Sequence, residues 1–430
     1  MKIVIASDIY YPMINGVAVF AHNLANGLSK AGHEVIVIAP SFNGKYHVDV
    51  DKETGVTTYH LTSARFPLYP DQINKVPDKK TVLGLPMPRL AYKHGIWWSV
   101  NPWSEVKHIL NDFQPDVIHL QTAETIALAV MSYVRKNDVP LVSTGHAYPD
   151  NVTGQFKLLK PKLIKMQADA VLRVYMASFL KHAEYATMPT EMAIGDLVPK
   201  NRKRFKVTVE ALSNGVDLSE FYPGKPNPEV LKKYGLSTGS KKRVLYIGRV
   251  DPEKSIGTVV EAFSKTLKKV PDAELVIVGD GIDVNHLKEL VSELNISDKV
   301  IFPGKILPPD LVEVYRSGMV FATASETETQ GIVLIEAAAT GLPLIAVNKG
   351  AVYELCQDKR NGFLCEPGGD VDGISDAMVK ILTDKNLREK FSKESIEVSK
   401  KHDLNRTLKR FEEIYHEAIK LKSEHNTIEE

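Results

Sequence analysis

Apolar residues recur along the chain in two alternating rhythms. Short β-branched runs predict strands at Lys2–Ala6, Glu34–Ile38, Val117–Leu120 and Leu141–Thr144. A second series follows at Arg243–Ile247, Glu274–Val278, Val300–Phe302, Val320–Ala322 and Leu344–Val347. Between them lie helical patterns such as Val17–Lys30, which stops at Gly32, and Ile256–Leu267. Strands that alternate with helices build parallel sheets covered on both faces. The pattern therefore predicts an α/β protein of two doubly wound domains. The join falls near residues 199–225, where Pro199, Pro223 and Pro226 cluster, which divides the chain into about 1–205 and 206–403. A last amphipathic helix, roughly Leu404–Lys422, either caps the second domain or packs back on the first, and the polar tail from Ser423 is expected to fray.

The length of 430 residues suits two domains rather than one. Apolar residues make up 43% and charged residues 25%, a globular mix. A net charge of +1 gives no bulk argument for nucleic acid, and no nucleic-acid partner is expected. Cys356 and Cys365 are the only cysteines and form no C-x-x-C pair, so a reducing cytoplasm is the expected location. The first strand is no signal peptide, and no apolar run reaches the length of a membrane span.

Candidate chemistry gathers where strands hand over to loops. Glu328 and Glu336 stand eight apart around the turn Thr329-Gln330-Gly331 and an apolar run that begins at Ile332. If that run is a helix, eight residues is a little over two turns, with Glu328 in the loop at its mouth and Glu336 inside it. The free N–H groups at such a mouth suit a phosphorylated ligand. Gly248-Arg249-Val250-Asp251-Pro252-Glu253-Lys254 follows a strong strand, and Arg249 with Lys254 could address a diphosphate. The plainer reading of that loop is a solvated charged turn. Gly16, between the first strand and the first helix, permits close approach of a phosphate or simply makes an Asn-Gly turn. His146, after the strand Leu141–Thr144, is a site candidate or a structural hydrogen-bonder.

Taken in order, the Gly16 loop, V-I-H-L at Val117–Leu120, T-G-H at His146, S-N-G-V-D from Ser213, G-R-V-D-P-E-K, V-G-D-G and the E-x7-E element resemble a family-four glycosyltransferase of the GT-B fold. The resemblance runs over nearly the whole chain. It implies two Rossmann-like domains facing across a cleft and a retaining transfer of a sugar from a nucleotide-sugar donor. Arg249 and Lys254 would neutralise the donor diphosphate, with Gly248 beside them. Glu336 would bind the ribose, Glu328 would face the transferred sugar, and the backbone of Thr329, Gln330, Gly331 and Ile332 would hold its hydroxyls. Gly16 would meet the distal phosphate, and His146 would line the reaction centre. No cofactor and no metal is expected, although D-x-D triplets occur at Asp49–Asp51 and Asp370–Asp372.

Departures from the common pattern narrow the resemblance. Thr329-Gln330-Gly331 stands where many relatives have Phe-Gly, and Gln121 replaces a more usual histidine, so His119 is assigned no catalytic role. The Thr-Gln-Gly version resembles glycolipid synthases of the diacylglycerol glucosyltransferase and sulfoquinovosyl transferase type. The expected activity is transfer of a hexose, glucose from UDP-glucose, to a membrane lipid such as diacylglycerol. The alternatives are a soluble sugar, polysaccharide or small alcohol as acceptor, or a nucleotide-sugar epimerase. Phe156, Leu159, Leu163 and Met166 fall on one helical stripe, with Lys157, Lys160, Lys162 and Lys165 beside it. Such a segment suits an anionic membrane at the inner face, or is an ordinary surface helix.

Overall fold

The computed structural model describes residues 1–13, 15–65, 79–82, 85–88, 97–146, 149, 162–198, 205, 207–239 and 241–429. They form two compact units, Met1–Asn214 with Asn405–Glu430, and Gly215–Leu404.

The first unit holds an eight-stranded sheet. Its order is Thr208–Ala211, Tyr185–Met188, Leu141–Thr144, Val117–Leu120, Lys2–Ala6, Glu34–Pro40, Thr57–Leu61 and His47–Val50. Every neighbouring pair is parallel except the last, where His47–Val50 runs antiparallel to Thr57–Leu61. Chain order reverses between Lys2–Ala6 and Val117–Leu120. The loops leaving those two strands therefore open at the point where doubly wound sheets take ligands. The sheet is buried on both faces. One face packs Val106, Ile109, Leu110, Ile126 and Val130, from the helices Trp103–Phe113 and Thr125–Asn137. The other packs Phe20, Leu24 and Leu28 from Gly16–Lys30. Asn15 starts that helix by accepting the Ala18 N–H at 2.9 Å.

The strand Thr208–Ala211 pairs with Tyr185–Met188, so the division between the units comes at Asn214 and not at the expected residue 205. The final helix runs from Leu404 to Glu429, beyond the expected fraying point at Ser423. Phe411, Ile414, Tyr415 and Ala418 on that helix join the core of Phe20, Leu24 and Leu28. Packing on the first unit supplies an apolar face that propensity alone does not.

The second unit is an all-parallel sheet of six strands. Their order is Val300–Gly304, Ala273–Val278, Lys242–Ile247, Val320–Ala322, Leu344–Val347 and Gly362–Cys365. In the unit's own numbering this is 3-2-1-4-5-6, the Rossmann order. Its switch point lies between Lys242–Ile247 and Val320–Ala322. Arg249 follows the first of these strands and Glu328 the second.

Candidate active site

In the second unit the strand Lys242–Ile247 delivers the chain to Gly248, whose φ of 149° only glycine adopts readily. Gly279 comes against it so closely that a side chain there would meet the Gly248 carbonyl. The two loops interlock: Val250 N–H donates to Asp280, and Asp283 N–H to Val250, each at 3.0 Å. Tyr246 then fixes the turn by donating its hydroxyl to the Arg249 carbonyl at 2.8 Å.

Both expected phosphate-binding cations stand in ion pairs. Arg249 bonds Asp251 and, at 2.6 Å, Glu253. Lys254 bonds Glu328 at 2.6 Å, and these side chains are only 14% and 16% exposed. Burial alone would raise the Glu328 carboxyl, but the Lys254 ammonium and then Arg249 outweigh it and hold the group below the usual range. Glu328 is therefore a carboxylate with a designated counter-charge. Its backbone is anchored as well, since its carbonyl accepts the Ala351 N–H at 3.1 Å. The two cations and the carboxylates Asp251, Glu253 and Glu328 sum to one negative charge. A diphosphate arriving here would compete for partners already in place.

Gly331 ends the Thr329-Gln330-Gly331 turn at φ 81° and starts the helix Ile332–Ala339. A left-handed residue at a helix mouth needs glycine, which explains that residue in the motif. Glu336 lies in this helix and accepts the Tyr315 hydroxyl at 2.7 Å. Burial pushes its carboxyl up to about 7 against the pull of Tyr315, and Glu220 adds to the rise.

In the first unit Gly16 is exposed in the opening turn of its helix. His146 lies two residues beyond the strand Leu141–Thr144, with Nε2 at 2.9 Å from Gln121 Oε1. Among the described residues, His146 Nδ1 and Gln121 Nε2 are buried and have no protein partner. With Nε2–H donating to Gln121, Nδ1 keeps its lone pair, and the Gln121 amide keeps its protons. Each atom is left able to bond a polar group of its own: Nδ1 as an acceptor and the amide as a donor. Burial also pushes the His146 imidazole down to about 3, so it serves as a neutral hydrogen-bonder. His119 is different. Its ring nitrogens bond Tyr415 at 2.8 Å and Thr144 at 2.7 Å in the sheet core.

The D-x-D triplets have local work. Asp51 accepts the Glu53 and Thr54 N–H groups, each at 2.9 Å. Asp370 caps the helix Val371–Thr383 through Gly373 at 2.8 Å, and Asp372 pairs with Lys265 at 2.7 Å.

Comparison with known proteins decides what this geometry belongs to. Residues 14–220 match the family described as Glycosyltransferase Family 4, and residues 229–398 match Glycosyl transferases group 1. The chain belongs to the family 4/group 1 glycosyltransferases of the GT-B fold. It is similar to the alpha-monoglucosyldiacylglycerol synthase of Streptococcus pneumoniae, 28% identical over 387 residues, covering 88% of this chain and 78% of that one. It is also similar to the N-acetyl-alpha-D-glucosaminyl L-malate synthase of Bacillus anthracis, 24% identical over 418 residues, covering 95% and 96%. The Anabaena protein Alr3699/HepE, solved in complex with UDP-glucose, shares the fold at a TM-score of 0.70, with 16% identity and 96% and 99% coverage.

Several residues beside the motifs of each unit are not singled out as site candidates by the sequence. Tyr315 is buried 21 positions from the Glu336 it orients. Gln121 shows its role only through its unpartnered amide. Asp8 fills the start of the helix Thr125–Asn137, accepting the Ile126 N–H at 2.9 Å. Beside it, burial and then the Asp8 charge push the Glu124 carboxyl up to about 7. Both acids stand in the loops at the first sheet's switch point.

The basic amphipathic segment is described in part. Phe156, Lys157, Leu159 and Lys160, and the side chain of Lys162, lie outside the described residues. The helix Lys162–Lys181 exposes Leu163, Met166, Val171 and Val174, the last at 73%. Among the described residues no helix is long and apolar enough to cross a membrane.

Proposed function

We propose that this glycosyltransferase moves glucose from UDP-glucose, with retention of configuration, onto a membrane lipid such as diacylglycerol. The observation that carries the reading is the grouping of Arg249, Lys254, Glu328 and Glu336 at the carboxyl ends of the strands flanking the Rossmann switch point. Arg249 and Lys254 meet the diphosphate and stabilise the charge it gains as the sugar leaves, with Gly248 allowing close approach. Each well-placed donor is worth about 3 kcal/mol in such a step. Glu336 accepts the ribose hydroxyls. The backbone from Thr329 through Gln330 and Gly331 to Ile332 holds the sugar, and Gly16 meets the distal phosphate. His146 lines the reaction centre, accepting a hydrogen bond at Nδ1, and the Gln121 amide offers a donor. Glu328 is committed to Lys254, which suits a positioning carboxylate better than a nucleophile; front-side attack, assisted by the leaving phosphate, is the mechanism we favour.

Support for the lipid acceptor comes from the Thr-Gln-Gly turn, the likeness to the streptococcal alpha-monoglucosyldiacylglycerol synthase, and the exposed apolar residues of Lys162–Lys181. Lys157, Lys160, Lys162 and Lys165 would add attraction to anionic headgroups, roughly 1 kcal/mol each near the surface. A soluble acceptor is the second reading, favoured by the N-acetyl-alpha-D-glucosaminyl L-malate synthase, which matches over almost its whole length. To decide, purified protein is incubated with a panel of nucleotide sugars, with and without diacylglycerol in anionic micelles, and nucleoside diphosphate release is measured. Lipid-dependent release from UDP-glucose alone supports the proposal. Release indifferent to lipid sends the search to malate and other small alcohols.

A further inference from the structure

The edge hairpin of the first sheet carries a constellation that sugar transfer does not use. His47–Val50 is the outermost strand, paired antiparallel with Thr57–Leu61 so that His47 faces His60 and Asp49 faces Thr58. Side chains alternate along a strand, so His47 and Asp49, two apart, share a face, and His60 opposite His47 shares it too. One ligand atom from each of the three lies within 4.8 Å of the others. Asp49 Oδ2 is 3.6 Å from His47 Nε2 and 3.3 Å from His60 Nε2. Nitrogen and oxygen ligands about 2.1 Å from a tetrahedral zinc are about 3.4 Å from one another, which both separations bracket.

The second ring nitrogens sharpen the point. His60 Nδ1 is 3.3 Å from the Pro40 carbonyl, and His47 Nδ1 is 3.0 Å from that of Lys45. A carbonyl only accepts, so each Nδ1 is the donor, and in a neutral ring Nε2 is then left with a bare lone pair. Two lone pairs and a carboxylate oxygen at these separations repel unless protons or a cation come between them. A backbone carbonyl behind each imidazole is the usual support of a metal-bound histidine.

We propose that His47, Asp49 and His60 form a surface site for a divalent transition metal of the zinc class, separate from nucleotide-sugar chemistry. Two imidazoles and one carboxylate select such ions over magnesium and calcium, which prefer all-oxygen shells. Three protein ligands leave a fourth position open to water, consistent with Asp49, whose side chain is 69% exposed. The rings now stack at 4.3 Å with 9° between their planes. Lone pairs lie in the ring planes, so binding needs a tilt of the more exposed His47 against the better buried His60. The bound ion would tie the edge strand to its neighbour.

The full chain, stripped of metal, is titrated with Zn2+ against a chromophoric chelator, and with Co2+ as a spectroscopic probe of tetrahedral geometry. One zinc per chain should bind, undisplaced by excess Mg2+. His47→Gln, Asp49→Asn and His60→Gln should each weaken binding at least about tenfold, the low end of the loss seen even when a ligand's supporting partner is removed. Their circular dichroism is compared with that of the parent. Imidazole NMR signals of the unaltered protein give a readout that needs no variant, since Zn2+ should shift His47 and His60 together. Zinc binding that survives all three substitutions, or Zn2+ that leaves both rings unmoved, overturns the proposal. An Asp49 interaction that appears only as the histidines are protonated, with no zinc bound at neutral pH, overturns it equally.

Discussion

Lys254→Met would strand Glu328 in a site where neither side chain exceeds 16% exposure. At 2.6 Å and an effective dielectric near 20, the gross attraction of the pair is about 6 kcal/mol. Desolvation of two ions offsets much of that, so the pair's net contribution is small, but removing one partner leaves an uncompensated charge and costs about 3–5 kcal/mol. Glu328→Gln strands the ammonium instead and should cost a similar amount. The double variant removes both charges together, so its loss should be smaller than that of either single variant. All three tryptophans, Trp97, Trp98 and Trp103, belong to the first unit. Urea unfolding followed by tryptophan fluorescence therefore tracks the first unit, while far-UV circular dichroism tracks both, and the difference isolates the second. Additive losses, within about 0.5 kcal/mol, would refute a preformed pair. So would a destabilisation that moves the tryptophan transition alone.

Arg249→Ala should lower turnover at least about 100-fold if the guanidinium stabilises the leaving diphosphate, and steady-state kinetics with the preferred donor would check it. Glu336, raised to about 7, is neutral below that pH and charged above it. If the carboxylate binds the ribose, donor affinity should fall about tenfold from pH 8 to pH 6, and Glu336→Gln should flatten the profile in a binding titration. The same sign gives folding: protonation favours the second unit, so this group's contribution declines as pH rises through 7. Gly331→Ala forces a left-handed alanine whose methyl would meet Leu334 Cδ1 at 2.5 Å, and should cost about 1–3 kcal/mol, read by calorimetry. Changing Lys157, Lys160, Lys162 and Lys165 to Gln should release the protein from anionic vesicles in a sedimentation assay while donor binding holds.

The buried parallel strands were legible because both their faces are covered. Leu344–Val347, for example, is a continuous apolar run. The strands that escaped notice lie toward the sheet edges. Thr57–Leu61 carries Thr57, Thr58 and His60, and Thr208–Ala211 carries a glutamate that bonds Arg410 at 2.7 Å. Gly362–Cys365 opens with a glycine, a residue depleted in strands. The site divides in the same way. Motif residues announce themselves by spacing, whereas Tyr315 and Gln121 act through contacts made only when distant segments meet. No spacing rule foresees that Lys254 closes on Glu328, 74 positions away.

The return of the last helix to the first unit has a consequence for synthesis. Residues 1–214 leave the ribosome with one face of their sheet still lacking Phe411, Ile414, Tyr415 and Ala418. At typical elongation rates the second unit takes roughly 10–40 s to make, and it can fold before the first is complete. The early segment must therefore wait with apolar surface uncovered, a natural client for a chaperone. The same wiring dictates how the halves can be separated. Residues 215–404 can be expressed as cut, but the first unit needs a circular permutation that joins its two segments through a linker.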